Sequence, residues 1–255
     1  MTEYTDYYGP EGLRTRGTII VVPGRGETRA TYARFGKRLA ADAYRIRVID
    51  APYLDSDDLT GSLTRFGDRL ADAVESTAPE DGVVRPVVLV GADTGAVAVA
   101  ALLGREETPV ARRPDAVVLA GLPGHTATTA DTWDHELDVR TSCPAHRGTL
   151  TNDSQVRRGS LNDAVPDVLL TAAYDSEIAV PVLILIGDAD PLADRDALGR
   201  TAKSLPRARL SVVRGAHHDV LNDLQHRSVA AEVVTLLEAL RNELVPLIAV
   251  ESSAW

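Results

Sequence analysis

The stretch that most constrains this chain is Gly91-Ala92-Asp93-Thr94-Gly95. It follows the apolar run Pro86-Val87-Val88-Leu89-Val90 and leads into the alanine-rich residues 96–103. A buried strand, a five-residue turn and a helix follow one another with no slack. A turn this tight strains the backbone of its middle residue, so the positions around it must be nearly bare. Gly91 and Gly95 meet that need, Ala92 and Ala96 help, and the residue at the apex is the carboxylate Asp93.

The rest of the chain alternates strand and helix patterns around this element. Gly17-Thr18-Ile19-Ile20-Val21-Val22 reads as a buried strand ended by Pro23-Gly24-Arg25-Gly26-Glu27. Tyr32, Phe35, Leu39 and Ala40 recur at helical spacing, residues 44–50 read as a second strand, and Leu63, Phe66, Leu70 and Val74 mark a helix over 63–78. After residues 86–103 come a strand over 115–121, a polar segment from about 122 to 180 that is helical around 160–173, and a strand over 181–187. A helix over 194–205, a strand over 209–213 and a closing helix over 228–244 complete the pattern. Near-continuous apolar strands separated by helices imply a mostly parallel sheet covered on both faces, in a single domain spanning 1–255. The polar segment at about 125–180 reads as a small cap inserted over the sheet. Residues 1–16 read as a loose lead-in, and the tail over 245–255 either covers a sheet edge or contacts another subunit, which leaves a homodimer open.

Composition narrows the partners. A formal net charge of -10 repels nucleic acid and anionic membrane, so neither is an expected partner. Cys143 is the only cysteine, which rules out an intramolecular disulfide and a thiolate metal cluster; it reads as a small buried hydrophobe. The first 16 residues lack an apolar signal core, and no uninterrupted apolar stretch is long enough to span a bilayer. These features lead to the expectation of a cytoplasmic protein acting on a small molecule.

Two further loops stand at strand ends. Gly187-Asp188-Ala189-Asp190-Pro191-Leu192 follows one strand, and Gly215-Ala216-His217-His218-Asp219 follows the next. In open α/β sheets ligand and catalytic groups collect at the carboxyl ends of strands, so apex, acid and histidine fall in chain order along one rim. This arrangement resembles the α/β-hydrolase superfamily from about Thr18 to Leu240, with Asp93 at the apex of a nucleophile elbow. Pro23-Gly24-Arg25-Gly26-Glu27 looks like the His-Gly-x-Gly-Glu loop of the lysophospholipase and monoacylglycerol lipase branch, with proline in the histidine position.

The resemblance implies an α/β-hydrolase fold with a sheet of six or seven strands, since the lead-in is too short for the first two strands of the full fold. It implies Asp93, His218 and Asp190 as catalytic residues, with His217 and Asp188 as alternatives that spacing does not separate. The backbone N–H groups of Arg25 and Thr94 would form the oxyanion hole, and Gly24, Trp133 and Tyr174 are the candidates for contacting substrate. Side chains of His217, His218 and Asp219 would point apart in an extended loop, so no metal is expected, and no cofactor. Arg140, His146 and Arg147 could bind an anionic substrate group, but residues of this kind are more often solvated or paired with acids, which is the favoured reading.

Serine is the usual occupant of the apex, while aspartate places the chain beside the haloalkane dehalogenases and epoxide hydrolases. A carboxylate attacking an ester carbonyl would make an anhydride, more reactive than the ester it came from. Attack on saturated carbon instead displaces halide or opens an epoxide and leaves an ester on Asp93. A hydrolase of that kind is the first expectation. Two alternatives remain: a lyase or cyclase using Asp93 and His218 as an acid–base pair, and a ligand-binding pseudoenzyme. The purely structural alternative for Asp93 is an N-cap of the helix that follows it.

Overall fold

The computed structural model describes residues 4–78, 82–105, 113–125, 129–248 and 251. Seven strands form one sheet: β1 (Thr5–Tyr7), β2 (Thr18–Val22), β3 (Arg45–Val48), β4 (Val87–Ala92), β5 (Ala116–Ala120), β6 (Val182–Gly187) and β7 (Ala208–Val213). Their order is β1-β3-β2-β4-β5-β6-β7, and only β1 runs antiparallel to its neighbour. The apolar runs of β2, β5 and β6 are buried at every position. Both of their faces are covered, as a parallel sheet requires.

Alternation along each strand divides the core in two. Ile20 and Val22 face the helices α2 (Leu59–Glu75), α3 (Thr94–Leu103), α6 (Asp167–Tyr174) and α7 (Arg195–Ser204). Ile19 and Val21 face α1 (Ala33–Ala41) and α8 (His226–Leu240). Helix α3 is almost wholly buried, because its run of alanine and valine lets it lie against both β4 and α6.

Between β5 and β6 lie α4 (Trp133–Arg140), α5 (Pro144–Asn152), a 3-10 turn over Ser160–Asn162 and then α6. Leu169, Leu170 and Ala173 of α6 belong to the main core, so the last part of the cap-like segment is packed as body. The lead-in holds strand β1, paired with β3 from Thr5↔Val48 to Tyr7↔Ile46. In the tail, Val245, Leu247 and Ile248 are exposed, and residues 249–250 and 252–255 lie outside the described part. No helix among the described residues is long and apolar enough to cross a membrane.

The strand order positions the site. From β2 the chain moves to β3 on one side and then to β4 on the other. The strand order thus reverses at β2, and in open α/β sheets sites form at the carboxyl ends of the strands beside such a switch point.

Candidate active site

Asp93 sits between the end of β4 and the start of α3 with φ 46° and ψ −121°. This conformation is strained for a residue with a side chain and is kept only where its surroundings hold it. A Cβ on Gly95 would stand 2.4 Å from the Val22 carbonyl oxygen, so only glycine lets the elbow approach β2. A Cβ on Gly24 would stand 2.7 Å from Asp93 Cβ, which places Gly24 directly against the apex. The Asp93 side chain makes no cap hydrogen bond to α3; it points instead toward the loops of the rim.

His218 Nε2 lies 3.2 Å from Asp93 Oδ1, and His218 Nδ1 lies 2.9 Å from Asp190 Oδ2. Asp190 is held in turn by the Leu192 backbone N–H, which donates to its Oδ1 at 2.9 Å. All three side chains are buried. His217 turns away and pairs with Asp223 at 3.0 Å, while Asp188 accepts from the Gly215 backbone N–H at 2.6 Å. The geometry thus joins His218 and Asp190 to the apex and leaves their neighbours on other duties.

Arg25 closes over the same carboxylate. Its backbone N–H donates to Asp93 Oδ2 at 2.7 Å, its Nε to Oδ2 at 2.9 Å, and its Nη2 to Oδ1 at 2.8 Å. Its Nη1 donates to the carbonyl oxygens of Leu161 and Asp163 at 3.1 and 2.8 Å. Through this side chain the elbow is tied to the insertion. The backbone donor expected to serve an oxyanion is here engaged by a carboxylate oxygen, while Thr94 opens α3 immediately after Asp93.

These contacts set the charges. Burial works against an ionised Asp93, but the Arg25 guanidinium and the His218 hydrogen bond hold its carboxyl well below the usual range. Burial also works against a charged His218, yet Asp190 and Asp93, one on each ring nitrogen, push it up to about 10. At neutral pH His218 is thus an imidazolium held between Asp93 and Asp190.

A second buried network adjoins the first. Arg140, 1% exposed, donates to Glu136 Oε1 from Nε at 3.1 Å and from Nη2 at 3.0 Å, and from Nη2 to the Arg25 carbonyl at 2.8 Å. Ser160 Oγ donates to that carbonyl at 3.1 Å. Asp219 lies 3.5 Å from Arg140 Nη1 and 2.8 Å from His146 Nε2. Glu27 Oε2 accepts from the Gly24 backbone N–H and from the Tyr32 hydroxyl. Burial, and then the Asp219 charge, raise Glu27 to about 7. Donor atoms of Glu27, His146 and Asp219 lie within 4.8 Å of one another, but His146 and Asp219 are engaged with each other and Glu27 with Gly24 and Tyr32.

The sequence reading left Glu27, Glu136 and Asp219 without a role. The signals that could have found them were the position of Glu27 in the Gly24 loop and the four-residue spacing of Glu136 and Arg140 on one helix face. Arg140 and His146 pair with acids as expected, but 1% exposed rather than solvated, whereas Arg147 pairs with Asp138 nearer the surface. Cys143 is buried. Trp133 and Tyr174 are not brought to Asp93. Trp133 packs on Leu137, Leu150 and Val156 under Arg158, and Tyr174 is buried in the main core, its hydroxyl donating to the Pro123 carbonyl at 3.1 Å.

A strained elbow, a paired histidine and backbone donors at one rim suit nucleophilic attack followed by hydrolysis. Residues 14–225 match the family model described as serine aminopeptidase, S33. Among solved structures the fold matches the monoacylglycerol lipase of Paleococcus ferrophilus at TM-score 0.71 and 16% identity, covering 94% of this chain and 99% of that one. It matches a soluble variant of the Saccharomyces cerevisiae monoglyceride lipase, in complex with a substrate analogue, at 0.69 and 15%, covering 93% and 91%. The enol-lactonase of Burkholderia xenovorans LB400 follows at 0.59 and 16%, covering 93% and 96%. No curated protein sequence matches the chain. The family is described by its serine, and at the elbow apex this chain carries aspartate. The chain belongs to the serine aminopeptidase S33 family of hydrolases, with the α/β-hydrolase fold.

Proposed function

We propose that this protein is a hydrolase that uses Asp93 as a nucleophile toward saturated carbon, in small haloalkanes or epoxides. The observation that carries the reading is the Asp93 carboxylate at the apex of a strained elbow, 3.2 Å from a histidine whose far nitrogen is held by Asp190. An oxygen of Asp93 attacks carbon, the carbon–halogen or carbon–oxygen bond breaks, and an ester forms on Asp93. That step consumes one of the two anions that keep His218 protonated. His218 then gives up its proton, to the alkoxide when an epoxide has opened or to solvent when halide has left, and its neutral Nε2 takes a proton from water as that water attacks the ester carbonyl. The backbone N–H groups of Arg25 and Thr94 receive the developing oxyanion.

Arg25 supports this reading in a way the sequence left open. Attack on saturated carbon needs an electrophilic group over the leaving atom. The Arg25 guanidinium, once swung off Asp93, supplies N–H donors to a departing halide or alkoxide. For the free nucleophile the same clasp is a barrier, since both carboxylate oxygens of Asp93 are engaged. That closure favours one other reading, a binding protein in which Asp93 and Arg25 neutralise each other and no turnover follows.

Single-turnover reaction in ¹⁸O-water separates the two. With enzyme in excess over a haloalkane or epoxide, the covalent route puts the label into the Asp93 peptide and unlabelled oxygen into the product. Label in the product alone contradicts the nucleophile role, and ligand binding without any turnover across the panel supports the binding reading.

A further inference from the structure

Behind the elbow lies a cavity of about 10 Å³ lined by Asp93, His218, Glu27 and Asn222 among others. That volume is at the lower limit for one water molecule. Its walls include Ala92 and Ala120, at the ends of β4 and β5, and none of its lining residues belongs to the 125–180 insertion. It therefore lies among the strand ends, the Glu27–Tyr32 segment and the histidine loop, not under the insertion.

Asn222 is 1% exposed, and its Oδ1 has no hydrogen-bond partner among the described residues. A buried amide oxygen left unpaired is costly, on the order of 1–3 kcal/mol. Such an atom on a polar, water-sized cavity marks a place for a ligand that donates hydrogen bonds. The backbone around Asn222 is fixed: its N–H donates to the Asp219 carbonyl at 2.8 Å, and its own carbonyl accepts from Arg34. Its side chain is thereby presented from the same loop that carries His218.

We propose that this cavity is the hydrolytic-water site, with Asn222 as the residue that holds the water. The assignment rests on the nucleophile reading above. The water donates one hydrogen bond to Asn222 Oδ1 and the other to neutral His218 Nε2, leaving a lone pair for Cγ of the Asp93 ester. As the oxygen–carbon bond forms, His218 takes the proton. As the ester C–O bond breaks, His218 returns that proton to the departing alcohol. Asp93 is left with one oxygen from water, the second water proton passes from its carboxyl to His218 to restore the carboxylate and imidazolium, and no other reactant is needed. The water has a place of its own, lined by no residue of the insertion, so a substrate held under the insertion does not have to share its space with the nucleophile of the second step.

The test uses 1-bromobutane and styrene oxide as probes, with alkylation and ester loss at Asp93 followed separately by peptide mass spectrometry. In Asn222→Leu, which fills the cavity and removes the acceptor, alkylation is expected at the parent rate. Ester hydrolysis is expected to be at least about tenfold slower, within the range for a positioned proton-transfer partner. Asn222→Asp, which keeps an acceptor oxygen, is expected to hydrolyse the ester faster than Asn222→Leu. Ester that forms in Asn222→Leu and is lost at the parent rate overturns this assignment alone. Absence of ester in every protein, His218→Ala included, overturns the nucleophile reading and this assignment with it. A crystal structure of the parent protein adds a readout independent of turnover. A water within hydrogen-bond reach of Asn222 Oδ1 supports the site, and a dry cavity overturns it.

Discussion

Arg25 grips Asp93 with a guanidinium fork, Nε 2.9 Å from Oδ2 and Nη2 2.8 Å from Oδ1, while its backbone N–H reaches the same Oδ2 at 2.7 Å. Both side chains are nearly buried, 10% and 4% exposed, so the pair is screened little by water. Removing one partner of such a pair strands the other charge in a poorly solvated place. Arg25→Met is expected to destabilise the fold by about 3 kcal/mol, measured by urea unfolding at pH 7. Arg25→Lys should recover only part of that loss, because an ammonium cannot reproduce the planar fork.

His218 links stability to alkaline pH. Its folded pKa of about 10 stands above the ordinary 6.5, so the folded state binds the extra proton between those values. The stabilisation is fully present below about pH 6.5 and is lost as pH rises through about 10. Asp190→Asn removes the charge that contributes most to the upward shift, and the loss should then begin at lower pH. Unfolding midpoints across this range, with the imidazole protons followed by NMR, check both the direction and the assignment.

Glu27 works in the opposite sense to an ordinary paired carboxylate. Its pKa is raised from 4.5 to about 7, so the folded protein keeps a proton that the unfolded chain has already lost. Stability from this group falls as pH climbs from about 4.5 to about 7. Glu27→Gln, neutral throughout, is expected to flatten that part of the stability curve. Denaturation midpoints at pH 5 and pH 7.5 for the two proteins give the comparison.

The elbow should accept the family's usual nucleophile. Asp93→Ser removes the anion that engages the Arg25 backbone N–H and one of the two that keep His218 protonated. A serine there has a base within reach and a freed oxyanion donor. Asp93→Ser is expected to hydrolyse p-nitrophenyl acetate roughly 10²-fold faster than Asp93→Ala, the scale a positioned base supplies. Equal rates in a spectrophotometric assay would sink the idea that this rim retains esterase geometry.

Much of this architecture was legible because burial writes itself into composition. Strands β2, β4, β5 and β6 are apolar at nearly every position since both sheet faces are covered, and the glycines of the elbow record a close approach to β2 that no Cβ could survive. Strand β1 was not legible: three half-buried residues on the sheet edge carry too little alternation to be read. The positions of Asp93, His218 and Asp190 followed from the ends of strands. The role of the Arg25 side chain did not, because its Nη1 partners, the carbonyls of Leu161 and Asp163, are 136 and 138 residues away. Arg140 was obscured in the same way. Its partners come from its own helix, the Gly24 loop and the histidine loop, and only the folded chain brings these together. Trp133 and Tyr174 drew attention as aromatics in a polar segment, yet each fills a packing position of its own.

The nucleophile role of Asp93 is tested most directly by trapping its ester. His218→Ala leaves the elbow and Arg25 in place but removes the base for the second step. After exposure to haloalkanes and epoxides, this protein is expected to gain the mass of the alkyl group on the peptide containing Asp93, and Asp93→Asn to gain none. A panel that binds to His218→Ala without adding mass at Asp93 would contradict the account and leave the residue to binding or proton transfer.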